Sequence, residues 1–88
     1  MDSDATAVFD VDQVKKRLIS DMLKEVTSAL KERGYQPINQ IVGYLVSGDP
    51  GYISSYKDAR SKIMEYERSE IMALILEEYL NNKWDVWA

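Results

Sequence analysis

The chain has 88 residues, 11 of them basic and 15 acidic, for a net charge of -4 at pH 7, and it contains neither cysteine nor histidine. This length accommodates one domain, and the missing residue types exclude disulfides, thiolate chemistry and any catalytic or zinc site built on imidazole. The acidic balance argues against a general nucleic-acid surface, because phosphate binding draws on clustered Lys and Arg.

A core this small contributes little net of conformational entropy, so such domains often lean on a second copy, and a homodimer is expected. No apolar run is long enough to span a bilayer, and residues 1–12 lack the basic and apolar regions of a signal peptide. A cytoplasmic, soluble protein without membrane insertion is the expectation.

Residues 1–10 carry three acids, no base and no helical period, so they read as a flexible tail containing the hydroxyls Ser3 and Thr6. From Val11 to Arg33, apolar residues at 11, 14, 18, 22, 26 and 30, with 19 and 23 beside them, predict a helix that buries one stripe. Asp10 or Asp12 is placed to cap it, and Lys31 and Arg33 suit its last turn before Gly34. Lys15, Lys16 and Arg17 fall on its solvent face among nearby acids.

Residues 34–53 hold all four glycines, both prolines and three of the six tyrosines. Pro37 suits a first helical turn, apolar residues follow at 38, 41, 42, 45 and 46, and Gly48 suits a left-handed cap, so a short buried helix is predicted as the hub. Asn39, Gln40 and Tyr44 within it are expected to bond backbone at helix ends or across a dimer. Asp49-Pro50-Gly51 is a turn signal, or Pro50 begins one helical turn reaching Ile53.

Tyr56, Ala59, Ile63 and Tyr66 form another stripe at helical spacing. The pattern changes phase near 67–69, which gives either a break there or one continuous helix over 56–81. The run from Ile71 to Leu80 is apolar over most of its wheel, so it is expected to be central or covered by a second subunit. Asn81-Asn82 is read as its end, with 83–88, including Trp84 and Trp87, as a C-terminal tail. The fold class is all-α: a bundle of four to five short helices over 11–82, with a helix-turn-helix-like C-terminal half.

The available chemistry is sparse. Paired acids such as Glu77-Glu78 and Glu65 with Glu67 point apart on a helix, no phosphate-binding glycine motif follows a strand, and no cofactor or metal is implied. An enzyme is not expected. A binding or adaptor protein is favoured, with a small helix-turn-helix DNA-binding regulator as the alternative, Arg60 and Lys62 then being its contact side.

The hub carries a resemblance. Gly34-Tyr35, Pro37-Ile38-Asn39-Gln40-Ile41-Val42-Gly43-Tyr44-Leu45, Ser47-Gly48-Asp49-Pro50 and Tyr52-Ile53, continued by Ala59-Arg60 and Tyr66-Glu67-Arg68, resemble the IreB-like regulatory phosphoproteins of Gram-positive bacteria, also called the ReoM family. The resemblance implies a non-enzymatic, all-helical homodimer. It further implies a cytoplasmic substrate of the PASTA-type Ser/Thr kinase that influences peptidoglycan synthesis and β-lactam tolerance through Clp-protease turnover of MurA. Family phosphorylation falls in a pattern resembling Asp-x-Thr-x-x-Phe, which Asp4, Thr6 and Phe9 match. Thr6 is thus the implied phosphoacceptor, with Ser3 near a second position. Arg60 and Arg68 match the family's arginine-bearing partner surface, and Lys57 lies on the same basic edge; Ser55 and Met64 stand where relatives usually carry arginine.

Overall fold

The computed structural model describes residues 12–87, with side chains placed as far as residue 82. It contains α1 (Gln13–Glu32), α2 (Pro37–Ser47), 3-10 turns at Pro50–Tyr52 and Tyr56–Asp58, α3 (Ala59–Ile63) and α4 (Arg68–Trp87). Among the described residues there is no strand. The Asp10 cap option, Val11 and the tail over 1–10 lie outside the described residues.

Local chemistry sets the helix ends. Asp12 caps α1, its carboxylate accepting the Lys15 N–H at 2.8 Å, which satisfies an orphan donor of the first turn. At the other end Gly34 takes φ 78°, the Gly34 N–H reaches the Lys31 carbonyl and the Tyr35 N–H reaches the Leu30 carbonyl, both at 2.9 Å. That bond pair stops the helix and turns the chain towards Pro37.

Pro37 opens α2 and Gly48, at φ 79°, closes it, as the sequence indicates. Ser47 Oγ donates to the Gly43 carbonyl at 2.6 Å and accepts the Asp49 N–H at 3.0 Å, so the exit is held by side chain as well as backbone. Pro50 then begins a 3-10 turn, not an isolated β-turn, with the Asp49 carboxylate accepting the Gly51 N–H. The turn sets the Tyr52 ring against Gly43, where an added Cβ would meet Cε1 at 2.8 Å. The glycine is therefore the seat of the ring.

The core gathers around α1. Ile19, Val26, Leu30, Ile53, Ile63 and Ile71 are fully buried, each contributing about 1.5–3 kcal/mol of transfer free energy. α1 makes its most extensive contact with α3, and packs against α4 and α2 as well. The stripe expected on α1 is buried only from Ile19 onward: Val14 is 71% and Leu18 49% exposed, whereas Ala29, outside the expected set, is buried. The short α2 is likewise not a buried helix. Tyr44 and Leu45 enter the core, but Ile38, Val42 and Val46, spaced by fours, face outward as an apolar ridge.

The chain breaks before Arg68, which decides against one helix over 56–81. Asn81-Asn82 does not end α4: it continues to Trp87, and Asn82 Nδ2 donates to the Glu78 carbonyl at 2.8 Å. Without Gly or Pro nothing in the sequence stops the helix there, and the amide bonds back one turn instead of capping. Of α4, Ile71 and Leu74 are buried, while Met72, Ile75, Leu76, Tyr79 and Leu80 are exposed.

Candidate functional site

The residues singled out as a partner surface are Lys57, Arg60 and Arg68, and each is drawn into the protein's own architecture. Arg60 Nε donates to the Ile53 carbonyl at 2.8 Å, and its backbone N–H reaches the Ser54 carbonyl at 3.1 Å. Gln40 of α2 completes this brace by accepting the Ser54 N–H at 3.0 Å. The polar side chain inside the hub thus finds its partner on backbone, one of the roles expected of it.

Arg68 reaches in the opposite direction. Its Nη1 donates to the Leu45 carbonyl at 3.0 Å, placing a guanidinium over the C-terminal end of α2. Such an end exposes unpaired carbonyls and carries partial negative charge, so a cation is favoured there. Arg68 itself remains exposed to solvent. It serves as a cap and still presents charge outward.

Lys57 belongs to a third cluster. Lys57 Nζ and Tyr56 Oη donate to the two oxygens of Glu32, at 2.8 and 2.9 Å. The Arg33 guanidinium lies 4.7 Å from the Tyr56 ring centroid. The Lys57 hydrogen bond, with that from Tyr56 beside it, holds the Glu32 carboxyl below its ordinary range, and the same bond raises Lys57. Backbone geometry concentrates here too, since Lys57 at φ 51° and Asp58 at φ 62° both occupy the left-handed region without being glycine. Strained non-glycine residues persist where surrounding contacts determine them, and the Glu32 pair together with the Asp58 N–H to Ser55 carbonyl bond does so.

The three cations are therefore not one patch held by shared contacts; they anchor three different junctions. The family resemblance points to Arg60 and Arg68, but the carbonyls that they bond carry no residue signal. Ser55 is exposed and so is Met64, so neither position where relatives carry arginine is closed to solvent. Thr6 and Ser3 lie outside the described residues.

The basic triplet of α1, expected on a solvated face with acids nearby, is paired with such acids. Lys15 Nζ pairs with Glu70 at 3.1 Å, Lys16 Nζ with Glu77 at 2.9 Å, and Arg17 with Asp21 four residues on. The first two cross from α1 to α4. Partly exposed pairs of this kind are worth about 0–1 kcal/mol each, so they orient the helices more than they hold them.

Among the described residues no group of three or more acidic side chains is placed to hold a metal ion, and no helix is long and apolar enough to cross a membrane. What the arrangement offers is binding: exposed apolar faces on α2 and α4, and cations at their junctions. A family model described as IreB regulatory phosphoprotein matches residues 4–81.

Proposed function

The chain belongs to the IreB family of regulatory phosphoproteins, and we propose that it is a non-enzymatic switch, phosphorylated on Thr6 by a PASTA-type Ser/Thr kinase, that acts by binding other proteins. The observation that carries this reading is the family match itself, which begins at residue 4 and so includes Asp4, Thr6 and Phe9. The kinase transfers the γ-phosphoryl group of ATP to the Thr6 hydroxyl oxygen; the hydroxyl proton is lost and ADP leaves. Ser3 is a secondary acceptor. The pathway is the control of peptidoglycan synthesis through Clp-dependent turnover of MurA, with β-lactam tolerance as the outcome in a cytoplasmic setting.

Partner contact in this reading involves Arg60, Arg68 and Lys57. Added phosphate brings about -1.5 to -2 charges, which either folds the tail onto a basic edge of the protein or repels an acidic partner. The protein works as a homodimer, a reading supported by the exposed apolar face of α4, where Met72, Ile75, Leu76, Tyr79 and Leu80 stand at 41–58% exposure. Capture of the partner by wild type, Thr6→Ala and in vitro phosphorylated protein tests the switch. Phosphorylated and unmodified protein should differ in binding, with Thr6→Ala behaving as unmodified; equal capture of all three would rule it out.

A further inference from the structure

Two ion pairs tie the first turn of α1 to α4, Lys15 to Glu70 and Lys16 to Glu77, and all four side chains retain contact with solvent. Immediately before that turn the chain carries Thr6, six residues ahead of the cap Asp12. Fully extended, that stretch reaches at most about 20 Å. Lys15 and Lys16 lie within about one turn of Asp12, some 5 Å along the axis. Lys57 pairs with Glu32 at the far end of α1, about 30 Å from Asp12 at 1.5 Å per residue.

We propose that a phosphate on Thr6 docks onto Lys15 and Lys16 and takes them from Glu70 and Glu77, so that phosphorylation exchanges the ion pairs between α1 and α4 for pairs with the protein's own N-terminal segment. This rests on the reading of Thr6 as the phosphoacceptor. The exchange follows from charge and geometry. Among the described residues each lysine pairs with one partly exposed carboxylate, whereas a phosphate brings nearly twice the charge and three acceptor oxygens. The Asp12 carboxylate, which accepts the Lys15 N–H, opposes the docking, and Arg17, bound to Asp21, adds to the positive field on the same turn.

The consequence falls on α4. Once Glu70 and Glu77 lose their lysines they face a dianion as like charges, and this helix buries Ile71 and Leu74 but leaves Met72, Ile75, Leu76, Tyr79 and Leu80 exposed. Its orientation against α1 shifts, and the apolar face it presents to a partner changes position. Phosphorylation is then read out on a helix, although the modified residue precedes the first one.

The test uses the full chain carrying phosphothreonine at position 6, installed during synthesis so that the result does not depend on any kinase. In a phosphorus NMR titration the phosphate should show a second pKa about one unit below that of a phosphorylated peptide of residues 1–11. Lys15→Gln with Lys16→Gln should return it to the peptide value, Glu70→Gln with Glu77→Gln should lower it further, and Lys57→Gln should leave it unchanged. Amide hydrogen exchange in α4 should quicken on phosphorylation in the wild type and not in the double lysine variant. A phosphate that titrates as in the peptide, or one that stays shifted in the lysine variant, overturns the proposal. Failure of a kinase to modify Thr6 would count against the phosphoacceptor reading alone.

Discussion

The guanidinium of Arg68 lies against Gly48: a Cβ added at the glycine would stand 2.9 Å from Cζ, and Nη1 donates to the Leu45 carbonyl at 3.0 Å. One contact thus joins the end of α2 to the start of α4. Gly48 is needed twice there, for its φ of 79° and for the space above it.

Gly48→Ala should therefore lower stability by about 1–2 kcal/mol from the left-handed backbone alone, with a further loss if Arg68 is displaced. Arg68→Ala should cost about 1–2 kcal/mol through the lost charge-assisted bond, discounted for its exposure. Urea denaturation followed by circular dichroism reads both, and the pair should be non-additive because each perturbs the same contact.

Gly43 makes a second demand of the same kind through Tyr52. Gly43→Ala should destabilise by about 1–3 kcal/mol, because the methyl group needs space that the ring occupies. In a Tyr52→Ala background the same change should cost much less, and the double-mutant cycle in urea measures the difference.

These two glycines show what was legible in the sequence. Pro37, Gly34 and Gly48 announce themselves, because few conformations suit such residues, and the ends of α1 and α2 follow from them. The left-handed pair Lys57-Asp58 carries no such mark, since neither is glycine and the conformation is imposed by contacts with Glu32 and Ser55. Ile38, Val42 and Val46 are exposed against expectation because periodicity reports an apolar face without saying whether this protomer covers it. The continuation of α4 past Asn82 was missed because asparagine ends helices only when its backbone turns left-handed, which residue type alone does not determine. Arg60 and Arg68 follow from the family resemblance and Lys57 from its place on the same basic edge, but their backbone and carboxylate partners belong to the fold.

The Glu32–Lys57 pair sets a pH dependence with two limbs. Glu32 has a depressed folded pKa, so its contribution is present above its unfolded value near 4.5 and is lost as pH falls through the folded value. Lys57 has a raised folded pKa, so its contribution is present below 10.5 and is lost as pH rises through the folded value. Between those limits the pair's contribution should be flat. Carboxyl-resonance NMR of Glu32 should give a lower pKa in the wild type than in Lys57→Gln, where the lysine hydrogen bond is gone, and Tyr56→Phe should raise it by less.

The core and the exposed face of α4 should respond oppositely to substitution. Ile71→Ala, at a fully buried site, should cost about 2–5 kcal/mol. Leu76→Glu, at 58% exposure, should leave the protomer folded while weakening self-association, as read by sedimentation equilibrium alongside circular dichroism. An unchanged dimer in Leu76→Glu would place the dimer contact elsewhere.

The central claim is that Thr6 is the residue at which this protein is switched, and intact-mass and fragment mass spectrometry of the protein purified from cells with and without the PASTA-type kinase activity tests it most directly. The expected result is a species heavier by one phosphate, mapped to Thr6, that disappears when the kinase is inactive. Protein that carries no phosphate in kinase-active cells, or carries it only at a residue other than Thr6, would contradict the account.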